Sequence, residues 1–161
     1  MDLTVRPTSK ADLAAVDALL SRSYPKLLKD AYPPSLLVTA LPLIPRAQPR
    51  LVTSGTYYGV WSEGRLVGVG GWSRDIKSRT LAHVRHVCTD DRMVRRGVGR
   101  VLMTHILSET RAAGLREMES WSTRNAVPFY ARFGFQELGP IDVPLQPGIT
   151  FPSIRMRAVL A

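Results

Sequence analysis

The sequence has 161 residues, of which 45% are apolar and 22% are charged, so it is long enough to bury a core as one globular domain. Its single cysteine excludes an intrachain disulfide framework, and its three histidines have no cysteine or carboxylate partner at metal-ligand spacing. The net charge of +9 favours an anionic partner, such as a nucleic acid, a phospholipid surface or a phosphorylated cofactor.

No segment of the sequence has the pattern of a secretion signal or a membrane span. The first ten residues, MDLTVRPTSK, lack the apolar run of a signal peptide. The most apolar stretch, residues 36–44, is too short to cross a bilayer and is interrupted by Pro42. We therefore expect a soluble, cytoplasmic protein.

The first elements are a strand followed by a helix. The run LTVRP predicts a short strand. In the next run, which ends at Tyr24, Leu13, Val16 and Leu20 lie at helical spacing behind a capping signal that begins at Ser9. The chain therefore enters its first helix directly from its first strand.

The middle of the chain alternates irregular and strand-like patterns. Six prolines between Pro25 and Pro49 allow one or two short helices but no long element, and we interpret this segment as a mobile flap or a cover on the substrate side of a site. The runs TYYGVW and RLVGVGGW flank the polar turn SEG and predict a hairpin, and TLAHVRHVCT predicts a third strand. Six aromatic residues on apolar-patterned elements are expected in the core: Trp61, Trp72, Trp121, Phe129, Phe133 and Phe135.

A basic stretch with two glycines, DDRMVRRGVGRVLM, follows the third strand. The apolar period from Gly97 to Gly114 predicts a helix that begins at this stretch. A helix start exposes up to four unpaired N–H groups and about half a positive charge, and glycine has no Cβ to hold a ligand away. The stretch therefore suits a pyrophosphate. A tight strand-to-helix turn, in which the glycines only relieve crowding, would give the same pattern.

The spacing does not fit two familiar phosphate loops. The Walker loop ends in Gly-Lys-Ser or Gly-Lys-Thr, and the dinucleotide fingerprint needs a third glycine where this chain has Leu102. VRRGVGRVLM instead resembles the acyl-CoA pyrophosphate loop of the GNAT superfamily of N-acetyltransferases: Gln or Arg, two residues, Gly, one residue, then Gly or Ala. Val94 stands where Gln or Arg is usual, which removes one side-chain contact and leaves the backbone donors.

A second stretch extends the resemblance. NAVPFYARFGF is similar to the family's short helix with an aromatic pair that ends in Gly-Phe, and GPIDVPLQPGITFPSIRMRAVL is similar to the closing strand pair of bacterial members. The resemblance implies an α/β fold with one GNAT-like N-acetyltransferase domain over residues 1–161. Its mixed, mostly antiparallel sheet would have six to seven strands and about four flanking helices, with the cofactor where two central strands diverge.

The resemblance also implies which residues bind acetyl-CoA. Backbone groups at the end of the third strand would meet the pantetheine arm and the thioester, and the main chain of the loop would surround the pyrophosphate. The family's pantetheine-contacting Asn corresponds to Thr123, and Asn125 follows two residues later. The implied cofactor-binding residues are Val87, Cys88, Thr89, Arg95, Arg96, Gly97, Val98, Gly99, Arg100, Thr123 and Asn125.

For catalysis, the resemblance implies direct attack of an amine on the thioester without a metal, with coenzyme A as the product. Tyr130 corresponds to the family's helix tyrosine and is the implied general acid. The residues leave the general base open among a chain of water molecules and four side chains, His83, His86, Glu117 and Glu119. Strict alternation would send His83 and His86 to opposite faces of their strand. Cys88 with His86 as its base also permits an acyl-cysteine intermediate.

The function implied by the resemblance is acetyl transfer from acetyl-CoA to a primary amine on a small molecule or a peptide. Two other classes fit the residues: a non-catalytic acyl-CoA-binding or sensor module on the same fold, and a basic nucleic-acid-binding protein. No aromatic side chain interleaves the arginines of the loop, which disfavours a single-strand stacking platform. Dimers are frequent in such families, so the resemblance allows a homodimer.

Overall fold

A computed structural model describes residues 2–160. Its strands are β1 (Thr4–Pro7), β2 (Tyr57–Ser62), β3 (Arg65–Arg74), β4 (Leu81–Thr89), β5 (Glu117–Ser122), β6 (Gln136–Gln146) and β7 (Ile149–Val159). Its α-helices are α1 (Leu13–Leu28), α2 (Pro34–Ala40), α3 (Pro49–Val52), α4 (Val98–Ala112) and α5 (Val127–Ala131). None of these helices in the described residues is long enough and apolar enough to cross a membrane.

The seven strands form one mixed sheet in the order β1-β2-β3-β4-β5-β7-β6. All neighbouring strands are antiparallel except β4 and β5, which run parallel. The predicted α/β fold with a mostly antiparallel sheet of six to seven strands is confirmed, and the described residues form five α-helices rather than about four.

The first helix begins where the capping signal predicts and ends later than expected. The backbone N–H of Ser9 donates to Asp12 Oδ2 over 2.8 Å, and a 3₁₀ turn leads into α1. The helix then continues past Pro25 to Leu28, whose side chain is buried against Tyr32 and Phe151. Burial of Leu28 offsets the cost of a proline inside a helix, which the sequence pattern alone treats as a stop.

Two helices cover opposite faces of the sheet. On one face, Leu19 and Leu20 of α1 pack with Val69 and Cys88 from the strands. On the other face, α4 packs against the sheet through a larger cluster that includes Leu102 and extends to α5. The start of α4 consequently lies beside the end of β4, at the centre of the sheet.

Candidate active site

The central pair of strands separates along its length. β4 and β5 are paired only from Leu81 to His83 and from Glu117 to Glu119, and both strands continue beyond these residues without pairing to each other. A cavity of about 350 Å³ lies in this divergence. Its walls come from β4, β5, α1, the proline-rich segment, α5 and the β6–β7 pair: Tyr24, Leu43, Ile44, Gln48, Val84, Arg85, His86, Val87, Ser120, Trp121, Ser122, Thr123, Ala126, Tyr130, Val143, Pro144, Leu145, Phe151 and Ser153.

A β-bulge in β4 decides which side chains face the cavity. Val69 is opposite Cys88 and Gly71 is opposite Arg85, so β4 has one residue more than β3 between these pairs. The backbone of His86 adopts a left-handed conformation with φ of 44° in this bulge. The hydroxyls of Tyr57 and Tyr24 hold it by donating to the carbonyl oxygens of His86 and Val87 over 3.0 and 3.3 Å.

The bulge shifts the alternation of side chains by one position. Before it, His83 faces the same side as Trp121, and after it Cys88 packs against α1 on that same side. His86 lies edge-on to the ring of Tyr24 in α1, with the ring centroids 6.3 Å apart. The expectation that His83 and His86 face opposite sides is therefore wrong, because strict alternation does not hold through a bulge.

Tyr130 contributes its side chain to the floor of the cavity from α5. It is 6% exposed and packs edge-to-face against Phe129 and Phe135. Burial raises the pKa of Tyr130 to about 12, and the neighbouring Ser120 hydroxyl opposes that rise only in part. The phenol therefore stays protonated across the whole neutral range and can donate a proton.

The start of α4 presents backbone donors beside the cavity. The first α-helical bond of α4 runs from Val101 N–H to the carbonyl of Gly97, so the N–H groups of Val98, Gly99 and Arg100 have no partner within the helix. Gly97 itself is left-handed, with φ of 86°. Unpaired N–H groups at the start of a helix are suited to an anion.

Three of the four arginines around this helix start are free for a ligand. Arg95, Arg96 and Arg100 are exposed and form no ion pair among residues 2–160. Arg92 instead binds the buried Asp90 over 3.1 Å, and Asp90 also accepts a bond of 2.8 Å from Arg22 of α1. Arg92 is therefore a structural residue, although the sequence groups it with the others.

Gly99 has a different role from Gly97. A Cβ on Gly99 would lie 2.8 Å from Cε1 of Phe129, whereas a Cβ on Gly97 would meet nothing within 4 Å. The sequence suggests that both glycines leave space for a ligand. At Gly99 the missing Cβ instead allows a close contact between α4 and the ring of Phe129. The sequence gives no signal for this contact, because the two residues are far apart along the chain.

The remaining implied cofactor residues fall into two groups. Val87 and Thr123 line the cavity, and Thr89 ends β4 next to Gly99. The side chain of Cys88 is buried between the sheet and α1, and burial raises the pKa of its thiol to about 12. A thiol in this state is a packed apolar group, which disfavours the acyl-cysteine alternative. Asn125 is exposed and does not line the cavity.

Only one of the four side chains considered as a general base lines the cavity. His83 is bonded through Nε2 to Asp75 over 2.7 Å, and Glu117 is paired with Arg157 over 3.4 Å. Glu119 is buried; burial alone would raise its pKa, but bonds from Arg155, Arg157 and Trp121 outweigh this and lower the pKa to about 2. His86 lines the cavity, and burial together with the Arg85 guanidinium lowers its pKa, so its imidazole is neutral near pH 7.

Sequence patterns missed several side chains of the cavity. Trp121 was expected in the core but is 42% exposed, because β5 has no partner on its β4 side beyond Glu119. Arg85, Ser120 and Ser122 also line the cavity, and alternation alone does not distinguish them from other residues of the two strands.

A family model described as an acetyltransferase (GNAT) domain matches residues 45–156, which is more than half of the chain. The chain belongs to the GNAT acetyltransferase family. The match reaches from the proline-rich segment to β7 and so includes the β4 bulge, the diverging strands, the start of α4 and Tyr130.

Solved structures share this GNAT fold over nearly their whole length. The GCN5-related N-acetyltransferase from Rhodopseudomonas palustris aligns with a TM-score of 0.79 at 20% identity, over 99% of this chain and 96% of the other. The PaiA N-acetyltransferase from Thermoplasma acidophilum, in complex with coenzyme A, gives 0.74 at 15% identity and 99% of both chains. The ribosomal-protein-S18-alanine N-acetyltransferase from Escherichia coli gives 0.67 at 16% identity, over 99% and 95%. No curated protein matches the sequence significantly.

Proposed function

We propose that this GNAT protein transfers an acetyl group from acetyl-CoA to the nitrogen of a primary amine. The observation that carries the proposal is the junction of two features: the unpaired N–H groups at the start of α4, and a cavity between β4 and β5 that contains Tyr130 and His86. The PaiA structure has the same fold and contains coenzyme A, which supports acetyl-CoA as the cosubstrate proposed here.

The residues of this chain fit such a cosubstrate. The N–H groups of Val98, Gly99 and Arg100 and the exposed side chains of Arg95 and Arg96 suit its pyrophosphate. Thr89 is next to Gly99 of α4, and Val87 and Thr123 line the cavity, so the backbone of these residues suits the pantetheine arm. When bound, acetyl-CoA supplies the acetyl group as a thioester, which an amine can attack without a metal.

The two cavity side chains have complementary protonation states. His86 is neutral near pH 7 and can accept the proton that the amine loses, because burial and Arg85 lower its pKa. Tyr130, with a pKa raised to about 12, holds a proton that it can give to the departing sulfur. Holding the amine beside the thioester contributes further, since ordering two reactants supplies several kcal/mol of the barrier.

The direct test of the proposal is release of free thiol from acetyl-CoA in the presence of a panel of primary amines. We expect thiol release that depends on the amine and yields its acetylated form. Acetyl-CoA binding in calorimetry without thiol release from any amine would instead indicate a non-catalytic acyl-CoA module. Strong, salt-dependent nucleic-acid binding that acetyl-CoA does not displace would indicate a nucleic-acid-binding protein.

Gly97→Val is expected to weaken acetyl-CoA binding about tenfold, since a β-branched residue in the left-handed region costs about 1–2 kcal/mol and shifts the N–H groups of the loop. Gly97→Asn is the matched control, because asparagine tolerates this backbone conformation and a Cβ meets no atom there. Calorimetry on both folded variants measures the difference. Equal affinities for Gly97→Val and the parent would contradict a backbone anion site.

Alanine replacement of Arg95, Arg96 or Arg100 is expected to cost each about 1 kcal/mol of acetyl-CoA binding, because exposed arginines contact phosphates in a screened environment. The loss should shrink as salt is added. Arg92→Ala provides the contrast: it removes a bond to Asp90 and should lower thermal stability more than cofactor affinity. Affinity that does not change with salt in the parent protein would rule out the phosphate contacts.

A further inference from the structure

Arg85 is the only residue with a formal charge at neutral pH among the described residues that line the cavity. Its Nε donates to Ser73 Oγ over 2.7 Å, which fixes the direction of the guanidinium and leaves its two Nη groups for other partners. No carboxylate among residues 2–160 forms an ion pair with it. Arg85 is exposed, so its side chain is accessible to a ligand that enters the cavity, and partial burial of the guanidinium lowers its pKa.

The bulge places this charge next to the proposed base. Arg85 and His86 are consecutive in the chain, and regular alternation would send their side chains to opposite faces. The extra residue in β4 instead puts His86 on the same side as Arg85: Arg85 donates to Ser73, and His86 lies against Tyr24 of α1. Arg85 and His86 are therefore at the same end of the cavity, and a molecule whose amine approaches His86 also comes close to Arg85.

Among the described residues, none that lines the cavity carries a negative charge that could pair with Arg85 or attract a second cation. Glu119 is held by two arginines, and Asp75 is held by His83. Asp142 does not line the cavity, although the next residue, Val143, does. An acceptor with several positive charges would find no partner here, whereas an acceptor with one negative charge would find Arg85.

Part of the cavity wall is apolar. Leu43 and Ile44 from the proline-rich segment face the cavity together with Val143, Leu145 and Phe151 from the β6–β7 pair. A cavity of about 350 Å³ that also admits the end of the pantetheine arm leaves room for a small acceptor only. The wall suits an acceptor with an apolar side chain.

We infer that the acceptor is a small amine that carries a carboxylate and an apolar side chain, as an α-amino acid does, and that Arg85 binds the carboxylate. The inference rests on the proposed function. It makes Arg85 the specificity-determining residue of the acceptor pocket: a planar guanidinium binds a carboxylate through two parallel hydrogen bonds, which fixes the amine relative to His86.

The first test compares each acid with its own amide. L-leucine and L-phenylalanine are assayed beside L-leucinamide and L-phenylalaninamide, which keep the amine and the side chain and lose the charge. We expect kcat/KM to be at least about tenfold higher for the acids, and Arg85→Gln to abolish most of this ratio through KM. The amine of an amide is the less basic one, so its larger neutral fraction acts against the expected result.

The second test measures binding without turnover. Isocaproate, which is L-leucine without its amine, is titrated at low salt into protein loaded with coenzyme A. We expect Arg85→Gln to weaken its binding about tenfold and Arg65→Gln, an exposed arginine at the β2–β3 turn, to leave it unchanged. Thermal unfolding of both variants checks that they fold.

The two tests separate failure of the inference from failure of the proposed function. A preference for amides, a preference for acids that survives Arg85→Gln, or isocaproate binding that is absent or indifferent to Arg85 overturns the inference. If no amine releases thiol, the proposed function is wrong, and the isocaproate titration alone then decides whether Arg85 binds a carboxylate.

Discussion

Tyr130→Phe is expected to lower kcat by about 10²-fold while the affinity for acetyl-CoA changes by no more than a few-fold. The ring stays in place between Phe129 and Phe135, so the packing of α5 is kept and only the hydroxyl is lost. The parent hydroxyl is protonated at every pH used in an assay, because burial raises its pKa to about 12. Steady-state kinetics with an amine that the parent acetylates, together with calorimetry of acetyl-CoA, measure both effects.

Tyr58→Phe is the matched control for the loss of a buried phenol. The Tyr58 hydroxyl accepts a bond of 3.1 Å from Trp72 Nε1 and does not line the cavity. Loss of the Tyr58 hydroxyl should lower thermal stability, and kcat should fall much less than it does in Tyr130→Phe. If Tyr130→Phe turns over the amine as fast as the parent does, the proton for the departing sulfur comes from solvent or from the substrate ammonium.

His86→Asn is expected to lower kcat/KM by about 10²-fold, since a side chain that takes a proton in the transition state contributes this much or more. Asparagine is chosen because it tolerates the left-handed backbone of the bulge, where alanine or leucine would add strain. His83→Asn is the control: His83 lies on the same strand, but its ring is bonded to Asp75 and does not line the cavity.

The pH profile of the parent gives an independent check on His86. The base acts when neutral, so activity should fall as pH drops through the folded pKa of His86. Burial and the nearby Arg85 lower that pKa, so the fall should begin below the pH at which an exposed histidine titrates. His86→Asn should remove this limb of the profile. A profile with the same acid limb in the variant would assign proton acceptance to water or to another group.

Local patterns predicted most of the elements because each pattern reports on a single segment. The period from Gly97 to Gly114 and the paired β-rich runs around SEG follow from burial on one face of one element. Contacts between distant segments produce no such local pattern in the sequence. Burial of Leu28 against Phe151 carries α1 through Pro25, and the approach of Phe129 requires a glycine at position 99.

The candidate site was predictable where a motif marks it and unpredictable where strand geometry makes it. The helix start at Gly97 and the tyrosine of PFYARFGF stand out as sequence signatures. A bulge has no fixed composition, so the side on which His86 lies could not be read from its position in TLAHVRHVCT. Arg85 is exposed, and its position in the run does not show that it lines the cavity.

Asp90 connects the loop before α4 to helix α1. This carboxylate binds Arg92 of the loop before α4 and Arg22 of α1, and the neighbouring Asp91 binds Ser23 and Lys26 of the same helix. α1 also carries Tyr24 on the cavity wall, so restraining the loop restrains one side of the acceptor pocket. We therefore expect the two proposed substrates to be thermodynamically linked through this contact: if acetyl-CoA raises the affinity for the amine, the amine must raise the affinity for acetyl-CoA by the same factor.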